Sequence, residues 1–349
     1  MRILHTSDVH LSERHPETLS ALTEILDVAR SHSVDLLTIG GDLFESEGDA
    51  EALRPRLRET LSGNGFPIVA IPGNHDCDAF EGNLDFGSDI EILTKRPVDT
   101  FTLHDLTLVG VPYVAHASED LYSRLREAGG ESDPKALLLH CTLDIGYTSG
   151  DFGEEESLSY FPVSAATLSS LGFDYVLAGH FHRQTEIREL DEGVFIYPGS
   201  PVSHTTRETG RRQAVLIDTD GGTPQAIQLP TYYHDSMDLF VYPGREMETI
   251  RTAKEWLDSR AGDNCELEMC VRGHIKMDET QFGRRLESLS DHLSIAKEYR
   301  TVAKLFEHPL FQRFQQKLEE KEDLDDARQL ESVTMDVMSR MLAEGKLGL

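Results

Sequence analysis

The chain is short of basic residues, of cysteine and of long apolar runs. Its 349 residues carry 33 Lys and Arg against 62 Asp and Glu, a formal net charge of −29. A field of that sign repels phosphate backbones and weighs against a nucleic-acid partner. Bound cations and local basic clusters can still overcome it, because salt screens charge beyond about 10 Å. No apolar run approaches the roughly 18 residues that a bilayer-spanning helix needs, so no membrane association is expected. The opening "MRILHTSDVH" has neither an apolar signal-type segment nor a small-residue cleavage site, and a cytoplasmic location is the expectation. Four cysteines, Cys77, Cys141, Cys265 and Cys270, show no CxxC spacing and read as reduced thiols. There is no internal repeat.

What is present is alternation. Up to about residue 230, short apolar runs such as "RILHTSD", "DLLTIGGD", "PIVAIPGNHD", "ALLLHCTL" and "YVLAGHFH" end in polar residues and are separated by helical patterns. Leu19, Leu22, Ile25, Leu26 and Ala29 recur at helical spacing after Pro16, a residue suited to a first helical turn. Later runs, "LTLVGVPYV", "VFIYPGSPV" and "RRQAVLIDTD", are hairpin-like. The pattern predicts an α/β domain over residues 1–232, built as a two-sheet sandwich. "TYYHDSM", residues 231–237, has no periodicity and reads as a linker. A small α+β module is expected over residues 238–306. A charged helical segment follows over 307–349, in which Leu330, Val333, Val337, Met338, Met341 and Leu342 share one face.

The chemistry lies at the strand ends. His180 and His182 in "LAGHFHRQ" follow an apolar strand and a glycine. Four other strand ends also carry metal-ligand types: Asp8 and His10 in "SDVH", Asp42 in "GGDLF", Asn74 and His75 in "PGNHD", and His140 in "LLLHC". Loops at the carboxyl ends of strands are where α/β folds assemble sites. Mixed imidazole, carboxylate and amide ligands suit manganese, iron or zinc better than calcium or magnesium alone. Seven of these eight residues already exceed the needs of one ion and fit two that share a carboxylate. Such a pair, about 3.5–4 Å apart, is suited to in-line phosphoryl displacement.

In order and spacing, "DVH", "GDLF", "GNHD", the lone His140 and "GHFH" resemble the signature motifs of the calcineurin-like metallophosphoesterases. "GDLF", "AGHFHRQ" and "IYPGSPVSHTTRETGRR" further resemble that superfamily's DNA-repair nuclease branch, to which the SbcD subunit of SbcCD and the nuclease of the MRN complex belong. The likeness covers residues 1–220 well and the later module loosely. It implies a four-layer α-β-β-α sandwich with a DNA-contacting α+β cap and C-terminal helices. It implies two divalent ions, Mn2+ in the first place, with Fe2+, Zn2+ or Mg2+ as alternatives. Asp8, His10 and His182 would hold one ion, Asn74, His140 and His180 the other, and Asp42 would bridge. His75 would stabilise the transition state or protonate the leaving oxygen. Asp76 would orient it, or simply cap a turn. The branch typically has a histidine after "GDLF"; here Glu45 follows, which puts exonuclease action in question.

For DNA, Arg183, Arg207, Arg211 and Arg212 near the site and Arg284 and Arg285 on the second module are candidates, as are plain solvated ion pairs. In the acidic loop after His140, Tyr147 and Phe152 would either stack on bases or anchor the loop. The apolar C-terminal face would dock on an SMC-like ABC-type ATPase, as in relatives, or pack on the chain itself. A homodimer is also implied by the family. Two rival functions remain, a phosphodiesterase for small diesters or cyclic nucleotides and a non-catalytic repair scaffold. A phosphoprotein phosphatase is disfavoured, since "GDLFESEG" departs from the "GDxVDRG" of that branch.

Overall fold

A computed structural model of the chain describes residues 1–82, 85–130, 135–144, 161–183 and 185–319, together with 330, 333–335, 337, 338, 340 and 341. Tyr147, Phe152 and Leu342 lie outside the described residues. The chain divides into two units, Met1–His234 and Asp235–Leu349.

In the first unit the apolar runs form β1 (Arg2–Thr6), β2 (Leu36–Ile39), β3 (Ile68–Ala70), β4 (Ile90–Ile92), β5 (Asp99–Leu103), β6 (Leu106–Val111) and β7 (Lys135–His140). A short parallel pair, β8 (Thr142–Leu143) and β9 (Pro162–Val163), comes next. Then follow β10 (Tyr175–Gly179), β11 (Glu186–Glu189), β12 (Val194–Tyr197), β13 (Gln213–Asp218) and β14 (Gln225–Gln228). Two six-stranded sheets result, ordered β14-β13-β1-β2-β3-β4 and β11-β12-β10-β7-β6-β5. Strands β1 to β4 run parallel, as do β12, β10, β7 and β6. Of the hairpin-like runs, β6, β12 and β13 pair antiparallel with the edge strands β5, β11 and β14, and β13 also with β1.

Period-two alternation builds the layers, because successive strand residues face opposite sides of a sheet. Leu4, Leu37 and Ile68 pack on helices α1 (Pro16–Ser31) and α2 (Glu47–Thr60). Their neighbours Ile3, Leu36 and Val69 turn inward and meet Leu138, Leu177 and Ile196 of the other sheet. Leu137, Val176 and Phe195 face outward onto α3 (Glu119–Gly129) and α4 (Ala165–Ser169). These three apolar layers are the interior of an α-β-β-α stack. Between the sheets His5 links β2 to β10, its Nδ1 3.0 Å from Thr38 Oγ1 and its Nε2 3.1 Å from Ala178 O. Burial pushes this imidazole down to about 4 and keeps it neutral.

The second unit carries a three-stranded sheet of β15 (Tyr233–Val241), β16 (Cys265–Ile275) and β17 (Leu293–Thr301). Val241, Met269 and Val271 pack against Phe282 and Leu286 of α6 (Glu279–Glu287), with Ala253 of α5 (Glu246–Asp258) in the same core. Residues 233–237, expected as a linker, are instead the start of β15. Their alternation is hard to read because polar residues occupy both faces. Strand β17 was not foreseen either; its outward side is Ser294, Ala296, Glu298 and Arg300, so "LSIAKEYRT" mimics a loop. Beyond it come α7 (Ala303–Phe306) and α8 (Pro309–Glu319). Met335 and Met338 are buried against Leu305 and Phe311, whereas Leu330, Val333 and Val337 are exposed. Among the described residues no helix is long and apolar enough to cross a membrane, and all four cysteines are free thiols.

Candidate metal centre

The loops leaving β1, β2, β3, β7 and β10 at their carboxyl ends are tied to one another by short backbone bonds. Asp8 N donates to Gly41 O and His10 N to Asp42 O, both at 3.0 Å. His75 N donates to Asp42 Oδ1 at 2.9 Å, and His180 N lies 3.0 Å from each oxygen of Asp8. This convergence uses backbone that ordinary residues avoid. Asp8, His10, Asp42 and His180 sit at φ of +54°, +48°, +49° and +102°. Non-glycine residues at positive φ are uncommon and cluster at functional sites, where surrounding structure holds the strain. The turn at His180 also explains how two histidines one residue apart diverge: the His180 ring lies 5.3 Å from that of His140, the His182 ring 4.9 Å from that of His10.

Close approach is required as well. A Cβ on Gly73 would lie 2.1 Å from Asp42 Oδ1 and 2.5 Å from Asp42 N. Gly73→Ala is therefore expected to displace Asp42. It should cost about 1–3 kcal/mol of overpacking strain and weaken divalent-ion binding about tenfold or more. Calorimetric titration of the folded variant with Mn2+ checks this, and a wild-type isotherm would contradict it.

Two buried groups of donors result, with Asp8 common to both: Asp8, His10 and His182, and Asp8, Asp42 and His140. Asn74 joins the second group through Oδ1, 2.9 Å from His140 Nε2. The donor chemistry fits a cation. Glu45 Oε2 lies 2.8 Å from His10 Nδ1 and Glu208 Oε1 3.3 Å from His182 Nδ1, so each carboxylate accepts the Nδ1 hydrogen. The two Nε2 atoms then present lone pairs to each other at 3.2 Å. Two imidazole nitrogens bound to one first-row ion at about 2.1 Å are about 3.0–3.4 Å apart at tetrahedral to octahedral angles. His140 donates Nδ1–H to Gly40 O at 2.9 Å and turns Nε2 toward Asn74 Oδ1 at 2.9 Å and Asp42 Oδ2 at 3.2 Å. That carboxylate oxygen is buried and takes no directed hydrogen bond, a costly state that a cation relieves.

Charge is concentrated at the same place. Burial works against ionisation of Asp42, yet His140, His10 and His75 outweigh it and hold the carboxyl well below the usual range. Asp8 moves up, chiefly from burial. Burial also opposes charge on His140, but Asp42 and Asp8 prevail and push it up to about 10. His10 is driven well down by burial and then by its histidine neighbours, so it stays a neutral donor.

His75 stands outside these two groups and, with His10 and Glu45, forms a third and more exposed one. Its ring meets that of His10 at 4.7 Å, and its Nδ1 is 3.8 Å from Glu45 Oε1. Asp76 does not orient it. One oxygen accepts from Gly73 N at 2.7 Å and the other from Phe44 N at 3.1 Å, so the carboxyl ties two loops together, and burial with the charge of Asp42 pushes it up to about 7. Arg212 is not a surface contact for DNA. It is 2% exposed, and its guanidinium donates to Ser200 O, Ser200 Oγ, Glu208 O and His182 O. Arg207 and Arg211 are exposed and Arg183 half-buried; Arg183 and Arg211 line a notch of about 220 Å³. Arg284 and Arg285 are exposed in the last turn of α6.

The sequence reading missed Glu208 and His204 and gave Glu45 no structural role. His204 packs its ring on His10 and His182 at 4.8 and 5.4 Å and donates Nε2–H to Asp8 O at 3.0 Å; burial, then His182, pushes it down to about 4. A cleft of about 710 Å³ opens over the first donor group and is lined by His10, His75, His182 and His204, with Glu13, Glu45, Asp49 and Arg14 among its walls.

The model of the calcineurin-like phosphoesterase family matches residues 1–184. "DNA double-strand break repair protein Mre11" of Saccharolobus solfataricus is 26% identical over 221 residues, 58% of this chain and 54% of that protein. The SbcD component of nuclease SbcCD of Escherichia coli is 36% identical over 279 residues, 65% of this chain and 67% of that one. The chain thus spans about half the length of the first relative and two thirds of the second. The solved structure of TT1561 from Thermus thermophilus aligns with a TM-score of 0.42 at 16% identity, over 65% of this chain and 98% of that one.

Proposed function

The chain belongs to the calcineurin-like phosphoesterase family, and from that premise we propose that it is a metal-dependent DNA nuclease acting in double-strand-break repair. The observation that carries the reading is the pair of imidazole Nε2 atoms of His10 and His182 facing each other at 3.2 Å beside buried carboxylates. Asp8, His10 and His182 would hold one divalent ion and Asn74, His140 and His180 a second, with Asp42 between them; manganese is the proposed metal. Such a pair supplies Lewis acidity that activates water and neutralises the attacking and leaving oxygens. The protein's own part is preorganisation. Glu45, Glu208 and Gly40 O fix the tautomers of His10, His182 and His140, and His75 reaches into the cleft where a leaving oxygen or a developing charge can take its proton.

DNA as substrate is supported by the names of the relatives and by the exposed arginines Arg207, Arg211, Arg284 and Arg285, with half-buried Arg183 near Arg211. In this reading the unit containing β15 to β17 contacts DNA as a cap. The exposed Leu330, Val333 and Val337 dock on an SMC-like ABC-type ATPase, and the catalytic unit pairs with a second copy. The four free thiols suit a reducing cytoplasm.

One observation favours a small phosphodiester instead: Glu13, Glu45 and Asp49 on the cleft wall oppose a polyanion. Manganese-dependent cleavage of end-labelled linear and hairpin DNA, run beside bis-p-nitrophenyl phosphate, separates the two. Cleavage of both substrates is expected. Hydrolysis of the diester with DNA left intact, even when the ATPase subunit is supplied, would transfer the assignment to small diesters.

A further inference from the structure

Glu208 is a carboxylate with almost no access to water, 1% exposed, and burying such a charge is costly unless it is well paired. Its partners are specific. Oε1 lies 3.3 Å from His182 Nδ1; Oε2 accepts from His204 N at 2.8 Å and from Ser200 Oγ at 3.3 Å. Its own carbonyl accepts from Ser203 Oγ at 2.6 Å and from Arg212 Nη1 at 3.4 Å. Arg212 in turn donates to the carbonyl of His182. The segment held this way returns to the centre, because His204 Nε2 bonds to the backbone oxygen of Asp8 at 3.0 Å. Glu208 therefore grips one side of the centre at two points, the imidazole of His182 and the backbone that clasps Asp8.

The opposite side has different supports. His140 gives its Nδ1 hydrogen to the neutral carbonyl of Gly40, and Asp42 is fixed by the amide of His75. None of these contacts passes through residues 200–212.

We propose that Glu208 is a positioning residue for one half of the metal centre: it sets the affinity of the ion at Asp8, His10 and His182 and affects the ion at Asn74, His140 and His180 far less, through Asp8 alone. The assignment rests on the two-ion reading above and adds to it that the two ions depend on separate outer supports. Physically, a carboxylate on Nδ1 fixes the ring direction and makes Nε2 more basic, and loss of such a partner typically weakens metal binding about 10- to 100-fold.

The test titrates metal-free full-length protein with Mn2+, following free ion by its paramagnetic resonance signal and heat by calorimetry. The wild type should show two binding steps. Glu208→Ala should weaken one of them about 10- to 100-fold and leave the other in place. With bis-p-nitrophenyl phosphate, its lost turnover should return at high Mn2+ with KM unchanged. Glu208→Gln keeps an acceptor for the Nδ1 hydrogen without the charge, and should show a smaller weakening of the same step; it carries the test if the alanine variant does not fold. Two wild-type steps that the variants leave unmoved, or weaken equally, overturn the assignment of Glu208 alone. Fewer than two ions in the wild type overturn the two-ion reading and this inference with it.

Discussion

Asp42→Ala is expected to release bound metal and abolish phosphodiester hydrolysis. Asp42 is fully buried, and its two oxygens have separate tasks. Oδ1 accepts the amide of His75 at 2.9 Å and so shapes the loop that carries Asn74 and His75. Oδ2 faces His140 Nε2 at 3.2 Å and His10 Nε2 at 3.9 Å, within reach of both halves of the centre. Alanine removes the donor proposed to lie between the ions and leaves several imidazoles converging on a hole. Lewis-acid charge stabilisation is worth several kcal/mol, and each 1.36 kcal/mol of barrier is tenfold in rate, so turnover should fall by about 10³ or more. Elemental analysis after dialysis reads the metal, and bis-p-nitrophenyl phosphate reads the chemistry. Asp42→Asn distinguishes the two tasks, since the amide oxygen can still accept from His75 N while the charge is gone; it should fold normally and remain inactive. A fully active alanine variant would end the shared-carboxylate mechanism.

The parts of this centre that were legible in the sequence are those written at strand ends. Asp8, His10, Asp42, Asn74, His140, His180 and His182 each lie within a few residues of an apolar run, and parallel strands deliver such positions to one place. The layers were legible for a related reason: pairs such as Ile3 with Leu4, Leu36 with Leu37 and Val176 with Leu177 divide between two cores by simple alternation. Long-range polar partners were not. Glu208 meets His182 across 26 residues and Glu45 meets His10 across 35, and neither distance leaves a local signature. Arg212 was misread for the opposite reason. Neighbouring Arg211 and Arg212 look alike in a basic run, but strand β13 begins directly after them and turns one outward and the other into a buried network. Asp76 stayed open between orienting His75 and capping a turn, because "GNHD" places it beside His75 in sequence; its carboxyl turns back onto the amides of Gly73 and Phe44.

His75→Ala is expected to keep the metal and lose the chemistry. The ring is partly exposed, lines the cleft and meets His10 edge-on at 4.7 Å, yet it belongs to neither buried donor group. Removing it should leave the Mn2+ isotherm close to wild type while slowing DNA cleavage about 10²- to 10⁴-fold, the usual contribution of a positioned acid or base. The substrate pair divides the two roles open to it. A DNA strand leaves as an alkoxide that needs a proton, whereas p-nitrophenolate leaves without one. If His75 acts as a general acid, the variant should lose far more activity on DNA than on bis-p-nitrophenyl phosphate. If it stabilises charge on the phosphorus oxygens, both substrates should fall together, because that charge develops whatever the leaving group. Glu45 is the structural reason to expect the acid role, since its carboxylate lies 3.8 Å from His75 Nδ1, on the side of the ring where it can orient it. Unchanged turnover on both substrates would make His75 a wall of the cleft and nothing more.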